Sequence, residues 1–223
     1  MIKPGEPWGR STSAAADLEV SGGDADLAFA VSGHPGVLVR FRPDPSSDLA
    51  RAVGLGDDQS GARGIDVPLD ALRVEDGPIA VNMPVAVNMI LIGTPPDAFG
   101  RFARRFGANV RLDTKPVFHG PCTTVVISTG QFRRGLDLVP RGHPGDGRAE
   151  VQIYAVPGRE RRELRARLAT GTHVPHPAIT QRTATRVRVS VDRRVPIEID
   201  GRPVPAADLL EITLVPSAYR LLL

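Results

Sequence analysis

The stretch Ser128–Tyr154, STGQFRRGLDLVPRGHPGDGRAEVQIY, joins two segments rich in β-branched and apolar residues. Thr123–Ile127 precedes it and Ala149–Tyr154 forms its end, and both are predicted to be strands. Seven glycines and prolines lie between these strands, far more than a hairpin with a two-residue turn needs. The stretch therefore predicts a long, shaped connection between two strands.

Two carboxylates, Asp137 and Asp146, lie in this connection. Loops held in place by a rigid scaffold often carry binding and catalytic residues, so either carboxylate could serve a functional site. The alternative is a surface turn whose charges are simply solvated. Spacing alone does not separate these two interpretations.

The composition favours a β-rich protein with a sizeable apolar core. The chain of 223 residues contains 23 glycines and 21 prolines, and 41% of its residues are hydrophobic but only 4% aromatic. This balance favours many short strands and turns around a core of Val, Leu, Ile and Ala. The net charge is +3, and no basic block with interleaved aromatic residues occurs. Nucleic-acid binding is therefore not expected.

The sequence also bounds the compartment. A single cysteine, Cys122, excludes an internal disulfide and a cysteine-cluster zinc site, and it is typical of a reducing compartment. No apolar run reaches the length of a transmembrane helix, and the N-terminus has no signal-peptide core. We expect a soluble, cytoplasmic protein. Peripheral contact with a membrane and homo-oligomer formation are compatible with this expectation.

Residues 17–55 repeat a strand–loop–helix pattern twice. The predicted strands are Asp17–Val20 and Gly36–Phe41, and the predicted helices are Ala25–Val31 and Asp48–Leu55. This alternation is typical of an open α/β sheet, in which ligands bind at the carboxyl ends of the strands. Two such units are too few for a stable sheet, so we expect this α/β piece to pack against the rest of the chain.

The turn Ser21–Asp24, SGGD, joins the first strand to its helix. A glycine turn at a helix N-terminus leaves backbone N–H groups that can hold a phosphate. The same residues also make an ordinary helix start, with Asp24 as the N-cap. The pattern by itself leaves both interpretations open.

After residue 60 the pattern changes to many short, apolar strands, which favours a β-sandwich. The predicted fold class is α/β plus all-β, with a short, incomplete α/β segment followed by a large β-sandwich domain. The predicted divisions are an N-terminal lead (1–16), the α/β segment (17–60), the β-sandwich (61–215) and a C-terminal tail (216–223).

One helix is predicted inside the sandwich region. Pro95–Gly107, PPDAFGRFARRFG, places Phe99, Phe102 and Phe106 at spacings of three and four residues, as one face of a helix would. The arginines between them, 101, 104 and 105, are expected to form a solvated face and not a binding patch.

Five segments carry a recognisable order of motifs. They are Gly22–Asp26 (GGDAD), Arg42–Arg51 (RPDPSSDLAR), Pro140–Gly147 (PRGHPGDG), Gly171–Ile179 (GTHVPHPAI) and Asp200–Arg202 (DGR). This order resembles the diacylglycerol kinase catalytic family, in its bacterial and sphingosine-kinase-like lipid kinase form. That family shares its architecture with NAD kinases. The resemblance extends from about residue 17 to the end, and no single motif is intact.

The resemblance implies a nucleotide-binding α/β lobe followed by a β-sandwich, and transfer of the ATP γ-phosphate to a lipid hydroxyl. ATP and Mg²⁺ are the implied cofactors, and a lipid is the implied substrate or ligand. By this resemblance Asp200 would be the catalytic base and Asp146 would support a metal. The residues implied to hold the nucleotide are Gly22, Gly23, Asp24, Ser46 and Asp48.

Several residues depart from the family pattern GGDGT…PxGTxND…DGE. Ala25 replaces a glycine, Asp26 and Pro45 replace threonines, and Arg202 replaces a glutamate. A carboxylate beside a triphosphate weakens its binding, and a lost hydrogen-bond donor weakens it further. The chain also lacks most of the family's upstream nucleotide-lobe segment.

These departures leave competing functions open. The protein is either an active lipid kinase or a degenerate relative that serves as a lipid- or nucleotide-binding module. An unrelated β-sandwich interaction domain is a third interpretation, and the order of the motifs argues against it.

Overall fold

A computed structural model describes residues 8–55, 64–75, 79 and 83–223. In these residues the strands are β1 (Arg10–Thr12), β2 (Leu18–Gly22), β3 (Leu38–Pro43), β4 (Gly64–Val74), β5 (Val85–Ala86), β6 (Met89–Gly93), β7 (Phe106–Leu112), β8 (Lys115–Cys122), β9 (Thr124–Ser128), β10 (Phe132–Arg133), β11 (Leu136–Asp137), β12 (Ala149–Tyr154), β13 (Ile179–Ala184), β14 (Arg186–Ile199) and β15 (Arg202–Leu222). The α-helices are α1 (Asp24–Val31), α2 (Asp48–Val53) and α3 (Arg161–Arg167), with 3-10 turns at Pro96–Ala98 and Leu168–Thr170.

The hairpin of β14 and β15 forms the centre of the sheet. Its turn, Asp200-Gly201, has positive φ at both residues, 47° and 80°, which an Asp-Gly pair adopts readily. β14 pairs with β6 near the turn and with β7 at its other end. β15 pairs with β4 along the opposite side. Because β14 and β15 are paired with each other, the hairpin joins the strands on its β14 side to those on its β15 side in one sheet.

The α/β piece attaches to the end of this hairpin. β2 and β3 are parallel, with α1 between them in sequence, as the repeated pattern predicts. β3 in turn pairs in parallel with β15, where Leu38 and Val39 face Arg220 and Leu221. The piece is thus part of the same sheet, which explains how two short units are stable. The predicted α/β plus all-β fold class is confirmed.

Three apolar clusters lie around the sheet. The largest fills the sandwich, where alternate residues of β7 such as Val110 and Leu112 meet those of β14 and β15. A second cluster packs α1 and α2 against β3, β4 and β15, with Phe41 and Tyr219 fully buried. The third places Leu164 of α3 on the opposite face of β6, β9 and β12. Both faces of the central strands are therefore covered, and every residue of β6 and β9 is buried.

The stretch 128–154 is a shaped connection, as predicted. β9 leads into it and β12 ends it, and the two strands pair with each other. Inside the connection β10 and β11 form a small hairpin of their own. Trp8 lies against this connection, with its ring centroid 4.6 Å from that of His143.

The helix predicted over residues 95–107 is wrong. Only the 3-10 turn Pro96–Ala98 forms, and Phe106 already belongs to β7. Phe106 is buried because it points into the sandwich at alternate-residue spacing, whereas Phe102 is 88% exposed. The helical spacing of the phenylalanines therefore arose across two unrelated elements.

Two predicted divisions also need correction. Residues 216–222 are not a tail but the end of β15, held in the sheet by β3 and β4. Within the predicted lead, β1 pairs with β4. The boundary predicted at residue 60 lies outside the described residues. Among the described residues, no helix has the length and apolar character needed to cross a membrane.

Candidate functional site

A cleft of about 300 Å³ lies where the α/β piece meets the β14–β15 turn. Six carboxyl groups and three arginines line it, so its charge is acidic overall. Its lining residues are Gly23, Asp24, Ala25, Asp26, Asp44, Ser46, Asp48, Asn88, Met89, Leu91, Arg133, Arg134, Glu198, Asp200, Gly201 and Arg202. We call Asp24, Asn88 and Asp200 the floor of the cleft, and Asp26 and Arg202 its mouth.

Asp24 begins α1 and is buried against the start of α2. Its carboxylate accepts hydrogen bonds from the Ser47 hydroxyl at 2.5 Å, the Leu49 N–H at 3.1 Å and the Asn88 side-chain amide at 3.1 Å. Burial raises the pKa of Asp24 to about 6, although these hydrogen bonds favour the ionised form and oppose the rise. The Asp24 carboxyl group can therefore be protonated at a pH not far below neutral.

Asp200 occupies the first position of the β14–β15 turn. Its carboxylate accepts three backbone N–H hydrogen bonds, from Val87 at 2.7 Å, Asn88 at 3.0 Å and Met89 at 2.8 Å. Burial, and secondly the negative charge of Asp24, raise the pKa of Asp200 to about 7, while the N–H donors oppose this rise. The turn is thus tied to the chain that enters β6.

Asn88 connects the two carboxylates and was not anticipated from the sequence. Its backbone N–H donates to Asp200, and its side-chain amide donates to Asp24 and to the Phe132 carbonyl. The only signal for it was the short VNM segment before an apolar strand. Because the two carboxyl groups interact, the pair can retain a proton near neutral pH and can both accept and donate hydrogen bonds.

Ser46 and Asp48 line the cleft beside the floor, as predicted for nucleotide contacts, but both are engaged within the protein. The Ser46 hydroxyl donates to Asp44 at 2.5 Å. The Asp48 carboxylate accepts the backbone N–H groups of Arg134 and Gly135, at 2.5 and 2.8 Å. Asp48 therefore positions the β10–β11 turn against α2. Their role in holding a nucleotide stays a prediction.

Gly22 and Gly23 form the turn before α1. Gly22 has φ of 128°, and a Cβ there would lie 2.3 Å from a carboxylate oxygen of Asp26, so only glycine fits. Gly23 is the N-cap of α1, and its N–H donates to that same Asp26 carboxylate at 2.9 Å. The side chain of Asp26 thus occupies an N–H group that a phosphate would need.

The mouth of the cleft is an ion pair between two of the residues that depart from the family pattern. The Arg202 guanidinium donates to Asp26, and both side chains are about half exposed, at 52% and 41%. The Gly23 N–H is the largest contribution that lowers the pKa of Asp26, and Arg202 lowers it further. The two substitutions therefore compensate one another in charge across the cleft.

Arg133 and Arg134 are the residues through which the stretch 128–154 reaches the cleft. The buried Arg133 guanidinium donates to Glu198 at 2.8 Å and to Asp97 at 2.5 Å. The sequence pointed to the two carboxylates of this stretch, but neither Asp137 nor Asp146 lines the cleft. A buried arginine has no distinctive sequence pattern, so Arg133 was missed.

Asp146 lies in the turn before β12, away from the floor. Its carboxylate accepts the Arg148 N–H at 3.0 Å, while the neighbouring Gly147 N–H donates to buried Asp70 at 2.7 Å. Within the described ranges, no group of three or more His, Cys, Asp and Glu side chains is arranged to hold a metal ion. The metal role of Asp146 stays a prediction.

A triphosphate fits the described residues poorly. The Gly23 N–H is taken by Asp26, and the lining carries six carboxyl groups against three arginines. Asp24 and Asp200 also direct their oxygen atoms toward donors of the protein itself. An anion would have to displace Asp26 and overcome the acidic charge before it could bind at α1.

The chain belongs to the family described as YegS C-terminal NAD kinase beta sandwich-like domain, whose model matches residues 101–223, more than half of the chain. No curated protein sequence matches it. Asp200 and Arg202 fall within the matched region, whereas Asp24 and Asp26 precede it.

Solved structures share the fold. One is a protein from Bacillus anthracis str. Sterne named as a provisional diacylglycerol kinase, with TM-score 0.71, 15% identity, and 92% of this chain and 77% of that chain covered. The yeast NADH kinase complexed with NADH gives TM-score 0.53 and 12% identity, with 94% and 62% covered. The NAD kinase from Archaeoglobus fulgidus in complex with ATP gives 0.50 and 12%, with 92% and 77% covered. The resemblance to lipid and NAD kinases is thus confirmed at the level of the family and fold.

Proposed function

We propose that this protein is a degenerate lipid-kinase-like protein, which binds a hydroxyl-bearing ligand such as a lipid headgroup in the acidic cleft without efficient transfer of phosphate from ATP. One observation carries the proposal. The Asp26 carboxylate accepts the Gly23 N–H at the start of α1 and pairs with Arg202 across the mouth. The protein's own carboxylate thus takes the position in which a phosphate would be favoured.

The floor suits a neutral ligand with hydroxyl groups. Asp24 and Asp200 offer oxygen atoms that accept hydrogen bonds, and their raised pKa values allow one of them to donate a hydrogen bond. Met89 and Leu91 add an apolar wall to the cleft. A lining that combines polar and apolar groups can accept the headgroup and adjoining chain of a lipid such as diacylglycerol.

A second candidate is an active lipid kinase that uses ATP and Mg²⁺. The observation that favours it is the position of Asp200 in the cleft near the charge of Asp24, since a carboxyl group with a pKa of about 7 is well suited to remove a proton from a hydroxyl. In this candidate Asp200 is the base. Asp26 and Arg202 would then have to separate to admit the nucleotide.

Transfer of labelled phosphate to diacylglycerol in mixed micelles, with Mg-ATP and the full chain, tests the proposal. We expect wild-type protein to transfer at the background rate and to show no thermal shift with Mg-ATP. The double variant Asp26→Thr/Arg202→Glu, which places the family's residues at the mouth, is expected to gain a thermal shift with Mg-ATP because the Gly23 N–H is freed. Asp200→Asn is the matched control for the base.

Wild-type transfer that Asp200→Asn abolishes would overturn the proposal and establish the kinase. Ligand binding is tested separately, by titration of a short-chain diacylglycerol followed by intrinsic Trp fluorescence or calorimetry. Loss of binding in Asp24→Asn, with the variant still folded by circular dichroism at the pH of the titration, supports the floor as the binding site. Absence of any binding by the wild-type protein would sink the proposed lipid ligand.

A further inference from the structure

The loop between the Pro96–Ala98 turn and β7 presents an unusual surface. Phe102 at its tip is 88% exposed, the most exposed of the large apolar side chains in the described residues. Arg101, Arg104 and Arg105 beside it are exposed as well. A solvated helix face was expected for these arginines, but the structure places them on a loop with an aromatic residue projecting between them.

This loop is held by a buried arginine of α3. Arg161 is 2% exposed, and its guanidinium donates to the backbone carbonyls of Gly100 at 3.2 Å and Ala103 at 2.9 Å. The same guanidinium lies over the Phe99 ring, 5.6 Å from its centroid. Because the loop's carbonyl groups are drawn inward to Arg161, the Phe102 side chain between them stays on the outside.

α3 extends the positive surface. Arg162 and Arg165 are exposed on this helix. The Arg165 guanidinium donates to the Phe99 carbonyl at 3.4 Å, so its side chain lies next to the loop. We call the exposed residues of the loop and helix the arginine patch: Arg101, Phe102, Arg104, Arg105, Arg162 and Arg165. The one acidic residue exposed within α3 is Glu163, so positive charge dominates.

The arginine patch is joined to the cleft through the protein interior. Asp97, in the turn that precedes the loop, pairs with Arg133, which also pairs with Glu198 in the wall of the cleft. Met89 and Leu91 line the cleft and pack in the same apolar cluster as Phe99 and Leu164 beneath the patch. The patch and the cleft therefore rest on the same apolar cluster.

We propose that the arginine patch docks on an anionic lipid bilayer, with Phe102 inserted at the interface and the arginines on the headgroups. Basic residues near a membrane are attracted by its negative surface potential, and an aromatic side chain partitions into the interface. A nucleic acid would also attract the arginines, but it would give no reason for a lone phenylalanine to project at their centre. The proposal stands whether or not the cleft transfers phosphate.

Sedimentation of the full chain with vesicles tests the proposal, using phosphatidylcholine alone and phosphatidylcholine with 30% phosphatidylglycerol. We expect binding to the anionic vesicles at low salt and at least fivefold weaker binding to the neutral ones. Arg101→Gln/Arg104→Gln should weaken binding to the anionic vesicles at least tenfold. Phe102→Ala should weaken it at least fivefold, and this loss should persist at raised salt, where charge is screened.

Matched controls lie elsewhere on the surface. Phe29→Ala removes a 69% exposed phenylalanine on α1, and Arg182→Gln/Arg186→Gln removes two exposed arginines near β13. Both controls should bind within twofold of the wild-type protein. Equal losses in the controls and the patch variants, or no binding to anionic vesicles, would overturn the proposal. So would displacement of the protein from anionic vesicles by a short RNA at lower concentration than the lipid.

Discussion

At the floor of the cleft, Asp24 and Asp200 accept hydrogen bonds from several groups of the surrounding backbone and side chains, whereas at the mouth Asp26 and Arg202 meet in contact with solvent. The floor joins three separate parts of the chain, α1, the entry to β6 and the β14–β15 turn. The mouth joins only two side chains and one N–H group. The floor should therefore govern stability and the mouth should govern which ligand enters.

Removal of the Asp200 carboxylate is expected to have the largest effect on stability. Asp200→Ala leaves the N–H groups of Val87, Asn88 and Met89 without their acceptor, and each unpaired buried group costs about 1–3 kcal/mol. We expect the free energy of unfolding in urea to fall by at least about 3 kcal/mol.

Asp200→Asn is the matched control, because asparagine keeps one carbonyl oxygen and tolerates the φ of 47° at this turn. Its loss of stability should be less than half that of the alanine variant. Equal losses would mean that the hydrogen bonds at the floor contribute little. The comparison also shows why Asp200→Asn, and not alanine, is the proper variant for activity measurements.

Asp24→Asn should change how stability depends on pH. Burial raises the pKa of Asp24 from 3.8 to about 6, so the folded protein binds this proton more tightly than the unfolded chain does. The stabilisation is present at low pH and is lost as pH rises through about 6. Between pH 5 and pH 8 the wild-type protein should lose about 1–3 kcal/mol more stability than the variant.

Urea unfolding at several pH values measures this difference. The pKa of Asp200 should also fall in Asp24→Asn, because the negative charge of Asp24 is the second contribution that raises it. Parallel pH profiles for the two proteins would contradict the raised pKa of Asp24.

The mouth is expected to give the smallest effect. Asp26 and Arg202 are 41% and 52% exposed, and exposed ion pairs contribute about 0–1 kcal/mol. A double-mutant cycle with Asp26→Asn and Arg202→Gln should give a coupling energy below about 1 kcal/mol that declines in 0.5 M salt. A coupling above about 2 kcal/mol would show that the mouth, like the floor, holds the fold together.

Local sequence patterns predicted those elements in which burial repeats regularly along the chain. The apolar runs of β9 and β12 and the glycine turn before α1 were visible because each lies on a strand or turn with a regular pattern. The helix predicted at 95–107 was wrong because Phe99 and Phe106 are buried by different parts of the sheet. Periodicity indicates a helix only when a single face is buried by a single surface.

The candidate site was predicted in part. The motif order named Asp24, Ser46, Asp48 and Asp200, and the structure brings these four residues to one cleft. Asn88 and Arg133 were missed, since their partners lie far away in sequence and their neighbours give no motif. Asp146 was named, but its carboxylate closes its own turn.

The sequence by itself determined most of the longer strands, the glycine turn before α1 and the departures from the family pattern, because these depend on residues close together along the chain. Only the tertiary structure decided that Asp26 and Arg202 form a pair, although 176 positions separate them. It also decided that Phe102 is exposed among arginines while the neighbouring phenylalanines are buried. Charge compensation and burial depend on distances through space, which the long β14–β15 hairpin sets by joining the distant parts of one sheet.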